Sequence, residues 1–375
     1  MASDHWKTLF HRLGMGTENV LDVVRSRARE KLHPEVHLHV IAYRGLATRL
    51  SGGWQGSING RVLRYKQPSL PGISTLWNNL QASYARFATD ELEGVTVRGR
   101  VGAEQVESIT DEEGYFRLDF NIRTSDEPGN TIPVELTLPG FTTIQIDGDP
   151  VINLPDPAAR FAVISDIDDT LLVTNATSLR RMMRLTLLES ATTRLAFDGV
   201  ADFYQALHGT VNPFFYVSSS PWNLYEFLTD FMRLNHIVAG PMMLRDLGID
   251  ETKFIAGPHK EHKLEQIRAI IDLYPTLSFI LCGDSGQDDP EIYTTIAEEY
   301  PDQIKTIYIR DVSDQWRSSA IQLLIQRLKE MDIDMLLTPD TQAAATHAIA
   351  QNYINKDSLP VIQQAVDDQK LEVQL

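Results

Sequence analysis

The chain has 375 residues, 43% apolar and 23% charged, which suits a globular protein of about two domains and excludes wholesale disorder. No apolar run is long enough to span a bilayer as a helix, and a net charge of −17 argues against broad nucleic-acid binding. The single cysteine, Cys282, cannot form an internal disulfide. It sits in an apolar run, where a buried structural thiol is expected.

Residues 1–34 read as a helical segment. Trp6, Leu9, Phe10 and Leu13 share one helical face, Gly14 and Gly16 interrupt the pattern, and Val20, Val24 and Ala28 resume it before Pro34. The segment lacks an apolar signal core, so a cytoplasmic setting is expected. Residues 1–80 hold 11 Lys/Arg and 5 Asp/Glu, a balance of +6 that leaves −23 for the rest. Two readings of this basic front end stay open: a peripheral contact with an anionic membrane surface through residues 1–34, and a helix packed on the neighbouring domain, which the apolar stripe favours.

Residues 35–155 change character. Val36–Tyr43, Val95–Val101, Tyr115–Phe120, Ile132–Leu138 and Thr142–Ile146 are short alternating runs with turn signals between them, which predicts a β-sandwich. His37 and His39 on the first run are expected to face solvent or cap the strand, because no Cys or Asp lies near them in sequence. The stretch 65–93 reads as a helix or a long loop. Asn153–Pro157 is a linker.

From residue 160 to 312, apolar runs at Phe161–Ile164, Phe214–Val217, Leu277–Cys282 and Ile304–Ile309 alternate with helical stretches. That pattern predicts an α/β layer around a parallel sheet. Residues 313–375 are expected to form a helical C-terminal extension.

The chemistry concentrates at the ends of the apolar runs. Phe161–Ile164 leads into Ser165-Asp166-Ile167-Asp168-Asp169-Thr170, and Leu277–Cys282 into Gly283-Asp284-Ser285-Gly286-Gln287-Asp288-Asp289. Ligands bind beyond the carboxyl ends of strands in open α/β sheets. Carboxylates gathered there repel one another unless a cation or a function compensates. Two acidic strand ends in one sheet suit a hard ion with oxygen ligands, Mg²⁺ above all. Phe214–Val217 ends in Ser218-Ser219-Ser220, whose hydroxyls and amides could receive phosphoryl oxygens. Lys260 and Lys263 begin a further helix and could offset developing charge.

These four segments, in this order, resemble the haloacid dehalogenase superfamily. Asp166, Asp168 and Thr170 match its D-x-D-x-T signature, Ser218 its second motif, Lys263 its third (with Lys260 as the other candidate), and Asp284 with Asp288 its fourth. The wording of Ser165–Thr170, Tyr216–Trp222 and Gly283–Tyr293 resembles the phosphatidate phosphatases of the yeast actin-patch type, with lipins as more distant relatives. The resemblance implies a Rossmann-like catalytic domain. It implies Asp166 as nucleophile, Asp168 as acid/base, and Lys263 as the charge-stabilising lysine. Ser218, Ser219, Asp169 and Thr170 would contact phosphate, and Asp166, Asp168, Asp284 and Asp288 would hold Mg²⁺. The implied substrate is phosphatidate at a membrane surface, cleaved to diacylglycerol and phosphate. A soluble phosphoester, or phosphatidate binding without turnover, remains as the alternative. Residues 173–196, with Arg180, Arg181, Arg184 and Arg194, hold the position of a cap. Substrate choice is expected there and at Trp222 and Tyr225, although Trp222 reads equally well as packing.

Overall fold

The computed structural model describes residues 37–64, 92–124, 128–167, 199–245, 259–312 and 315–372. They form two compact units, one of residues 37–156 with Pro221–Phe231, the other of residues 157–220 and 232–372. The helical reading of residues 1–34, the cap at 173–196 and nearly all of the stretch 65–93 lie outside the described residues.

The first unit opens with a long hairpin, β1 (Leu38–Leu50) and β2 (Gly53–Arg64). It continues through β3 (Thr96–Val101), β4 (Glu104–Ile109), β5 (Tyr115–Arg123), β6 (Thr131–Pro133), β7 (Glu135–Thr137), β8 (Ile144–Gly148) and β9 (Val151–Asn153). A six-stranded sheet runs β5-β2-β1-β9-β6, with β8 also on β1, and a three-stranded sheet runs β4-β3-β7. Alternation along β5 buries Phe116, Leu118 and Phe120. They join Leu38, Val40 and Trp54 of the larger sheet and Val97 and Leu136 of the smaller in one apolar cluster.

Several details depart from the sequence pattern. The run Ile132–Leu138 is not one strand. It divides at Val134, so that β6 pairs with β9 and β7 with β3. β1 carries parallel pairings, with β8 over Leu38–Ala42 and with β9 at Gly45–Leu46, and its own register with β2 shifts between Tyr43 and Leu46. β2 gave no strand signal because glycine is depleted in strands. Here Gly60 is sterically required: a Cβ would lie 2.5 Å from the Phe116 ring and from the Ile41 carbonyl oxygen.

The second unit contains β10 (Ala162–Asp166), α1 (Val200–His208), β11 (Phe214–Pro221), and, after α2 (Tyr225–Leu234), β12 (Met242–Arg245) and α3 (His259–Leu273). Then come β13 (Phe279–Asp284), α4 (Asp289–Glu299), β14 (Ile304–Arg310), α5 (Gln315–Lys329), β15 (Asp334–Thr338), α6 (Thr341–Ala350) and α7 (Leu359–Glu372). The sheet order is β12-β11-β10-β13-β14-β15. β10 runs parallel to β11 and β13, and β14 parallel to β13 and β15. The chain is therefore mixed α/β with a parallel sheet, as the alternation of apolar runs and helical stretches predicts. β10 and β13 are buried along their whole length, as strands covered on both faces must be. Chain order proceeds outward from β10 through β11 to β12, then returns to its other side with β13. The crevice between the carboxyl ends of β10 and β13 is thus a topological switch point, where ligands bind in open α/β sheets.

The extension after residue 312 is not wholly helical. β15 adds a sixth strand against β14 with Thr306 opposite Asp334. Five residues with buried Met335 and Thr338 are too few for a period to distinguish strand from helix. α5, β15, α6 and α7 belong to the same compact unit as the parallel sheet.

Candidate active site

Asp166 is the last residue of β10, and Asp284 the last of β13. Ser165 lies opposite Cys282 in the ladder, so the two following carboxylates emerge at one sheet edge. A third, Asp289, opens α4. One carboxylate oxygen from each of Asp166, Asp284 and Asp289 lies within 4.8 Å of the others, and all three residues are buried.

Lys263 supplies the opposing charge. On α3 it shares the inward face with Gln266, Ile267 and Ile270, all buried, following helical periodicity. Its Nζ stands 2.8 Å from Asp166 Oδ1 and 3.0 Å from Asp289 Oδ1. Lys260, three residues earlier, is partly exposed. Burial pushes the Asp289 carboxyl up to about 6, against the lowering influence of Lys263 and with a smaller push from Asp284.

The loop between β13 and α4 is tightly held. Gly286 N donates to Asp284 Oδ1 at 2.6 Å, and Asp284 N to Asp289 Oδ2 at 3.3 Å. A Cβ on Gly283 would lie 2.4 Å from Asp289 Oδ2, so glycine is what lets that carboxylate approach the strand end. From α5, Arg317 donates to Ser285 O at 3.2 Å and to Glu291 Oε2 at 2.7 Å, and also reaches Gln287 O. The sequence pattern gave no sign of Arg317; an isolated arginine in a helical extension looks like a solvated side chain.

Ser218 continues β11 one residue beyond Val217, which lies opposite Asp166 in the ladder. It is fully buried, and its Oγ accepts from Ser220 N at 2.9 Å. Ser219 is partly exposed at the same strand end. Asp168, Asp169 and Thr170 lie outside the described residues. Asp288, expected among the metal ligands, is the exposed N-cap of α4 and lies outside the three-carboxylate group, which contains its neighbour Asp289 instead. Trp222 and Tyr225, expected to influence substrate choice, are buried packing residues. The Trp222 ring stacks on Tyr43 at 4.5 Å, and Tyr225 Oη accepts from Arg44 N at 2.8 Å. Cys282 is buried, as expected, and burial pushes its thiol up to about 12.

Three carboxylates against one ammonium leave two negative charges in a buried site, which a divalent cation would neutralise. The all-oxygen donor set fits a hard ion. Asp166, Asp284 and Asp289 are the side chains that could hold it.

Residues 161–311 match the family model described as phosphatidate phosphatase APP1, catalytic domain. Over 205 residues the chain is 33% identical to phosphatidate phosphatase APP1 of Saccharomyces cerevisiae, covering 51% of this chain and 35% of that protein. Over 211 residues it is 28% identical to a Schizosaccharomyces pombe protein described as uncharacterized, covering 54% and 34%. The chain thus spans about a third of the length of these curated relatives. A carbohydrate acetylesterase from Xanthomonas citri aligns over 86% of this chain and 71% of its own at 9% identity, with a TM-score of 0.25, too low to bear on fold or function. The match at 161–311 begins just before β10 and ends just after β14, so the part of the chain that is similar to the catalytic domain of phosphatidate phosphatase APP1 encloses the carboxylate group and Lys263.

Proposed function

We propose that the chain is a Mg²⁺-dependent phosphatidate phosphatase of the haloacid dehalogenase type, with a Rossmann-like catalytic domain and a preceding β-sandwich. The observation that carries this reading is the convergence of Asp166, Asp284 and Asp289 around Lys263 at a switch point of the parallel sheet. Carboxylates from stretches more than a hundred residues apart meet there, an arrangement that suits metal-assisted phosphoryl transfer.

Lys263 grips Asp166 Oδ1 and fixes the carboxylate plane, so that Oδ2 attacks phosphorus. The P–O bond to the diacylglycerol oxygen breaks, and Asp168 gives that oxygen its proton. The product on the enzyme is an aspartyl-phosphate, which divides one difficult displacement into two easier ones. Asp168 then takes a proton from water as the water oxygen attacks phosphorus, releasing inorganic phosphate and restoring Asp166. Ser218 and Ser219, with the Asp169 and Thr170 segment, hold the remaining phosphoryl oxygens. Mg²⁺ on Asp166, Asp284 and Asp289, with the Asp168 carbonyl, would offset the negative charge that the incoming phosphate otherwise meets. Asp288 would act only through water. A cytoplasmic setting with peripheral access to phosphatidate in membranes fits this chemistry. Among the described residues no helix is long and apolar enough to cross a membrane.

The test is phosphate release from phosphatidate in mixed micelles and from soluble phosphoesters, each with Mg²⁺ and with chelator. The proposal expects Mg²⁺-dependent release from phosphatidate, abolished in Asp166→Asn. Release from soluble esters alone would remove the lipid assignment. Phosphatidate binding without release would leave a binding module, and full turnover by Asp166→Asn would overturn the nucleophile.

A further inference from the structure

The mixed-sheet unit contains a second group of metal-ligating side chains. Leu38, Val40 and Ala42 of β1 enter the apolar cluster, so His39 faces the opposite side of the sheet. There Trp222 and Tyr225 pack on Tyr43 and bring Glu226 of α2 over β1. His39 is 1% exposed. Its Nε2 lies 2.6 Å from Asp147 Oδ2 on β8 and 3.7 Å from Glu226 Oε1. All three ligand atoms fall within 4.8 Å of one another. The parallel pairing of β1 with β8 sets His39 opposite Gln145, and Gln145 Nε2 donates to Asp147 Oδ2 at 2.8 Å. Asp147 is thereby oriented from outside the group, as metal-ligating carboxylates generally are.

We propose that His39, Asp147 and Glu226 form a structural site for a borderline divalent cation, with Zn²⁺ the best match. An imidazole with two carboxylates suits Zn²⁺, whereas Mg²⁺ takes oxygen ligands in an octahedral shell. Ligands about 2.1 Å from a tetrahedral ion stand about 3.4 Å apart, and the two His39 separations, 2.6 and 3.7 Å, bracket that value. A neutral imidazole and two carboxylates carry two negative charges, which the ion cancels. The side chains of Asp147 and Glu226 are 35% and 13% exposed, so an ion can enter and water can complete its shell. Once bound, the ion ties α2 to β1 and β8. That fixes the start of the segment that follows Ser220 in the chain. The competing occupant is a proton, with His39 charged between the two carboxylates.

The test uses the full chain, stripped with chelator and titrated calorimetrically with Zn²⁺ in an excess of Mg²⁺, with Co²⁺ absorption reporting nitrogen–oxygen ligation. One saturable Zn²⁺ per chain is expected, kept in Asp284→Asn and weakened at least about tenfold in His39→Gln and in Glu226→Gln. Glu226→Gln keeps the test open if His39→Gln does not fold. Absence of saturable Zn²⁺ in the unaltered chain would identify the proton as the occupant and overturn the proposal. So would undiminished affinity in the foldable variants, or loss of the ion in Asp284→Asn.

Discussion

Replacing Lys263 by methionine keeps most of the side chain's apolar stem and removes its charge. That charge stands 2.8 Å from Asp166 and 3.0 Å from Asp289, with all three side chains almost wholly buried. Removing one partner of a buried ion pair costs about 3–5 kcal/mol, because the remaining charge is left unneutralised away from water. Here two carboxylates lose the same partner, so the metal-free protein should fall at the upper end of that range. Protonation can recover part of the loss. The Asp289 carboxyl is already pushed up to about 6 by burial, and Lys263 is the main influence lowering it; without the lysine it rises further. A carboxyl held higher in the folded state than in the unfolded state favours folding below its unfolded value, near 4, and loses that contribution as pH rises through its folded value. The deficit of Lys263→Met should therefore be small at pH 5 and large at pH 8 in chelator. Saturating Mg²⁺ should shrink it at pH 8. Urea unfolding of both proteins at the two pH values, with chelator and with Mg²⁺, measures this. A variant as stable as the unaltered protein at pH 8 in chelator would refute the electrostatic reasoning.

Three other consequences are open to measurement. Asp289→Asn should raise the Mg²⁺ concentration for half-maximal phosphate release at least about tenfold, and Asp288→Asn less than about threefold; the reverse order would return the ligand role to Asp288. Arg317→Ala should lower kcat about tenfold with KM little changed, since it frees Ser285 O, Gln287 O and Glu291 from one clamp. Arg317→Lys should resemble the alanine variant because an ammonium cannot reproduce the guanidinium fork, and full activity in the lysine variant would show that charge alone suffices. The Cys282 thiol, 6% exposed and pushed up to about 12, stays protonated at pH 8, so a disulfide reagent should label it only on unfolding. Rapid labelling of native protein would contradict its burial.

The central parallel strands are legible in the sequence because burial on both faces writes them as largely apolar runs, broken in β14 by exposed Lys305. Phe161–Ile164, Phe214–Val217, Leu277–Cys282 and Ile304–Ile309 all fall in or beside β10, β11, β13 and β14. What lay hidden depends on partners distant in the chain. β2 carries glycines because its neighbours approach closely, and those neighbours are not visible locally. His39 reads as solvent-facing or strand-capping because no Cys or Asp lies near it in sequence. Its burial comes from β8 and from α2, and Asp147 alone is 108 residues away. Trp222 and Tyr225 follow the serine run in sequence and so read as a substrate contact, but their rings pack on Tyr43.

The pair Asp288-Asp289 shows where such reading stops. Asp288 is the N-cap and Asp289 the first helical residue, so the two side chains leave the backbone in different directions, and only Asp289 joins the group with Asp166 and Asp284. The resemblance places a motif on this stretch, but choosing between the two needs the rotation of α4 about its axis. Asp288 occupies the exposed N-cap position, and Asp289 turns inward to meet Lys263 and Asp284 N. The clue lies five positions upstream of Asp288. Gly283 precedes the strand-end carboxylate, and only a residue without Cβ leaves room for Asp289 Oδ2 against β13. A glycine that looks like loop permissiveness is thus a packing requirement, set by the inward carboxylate of Asp289.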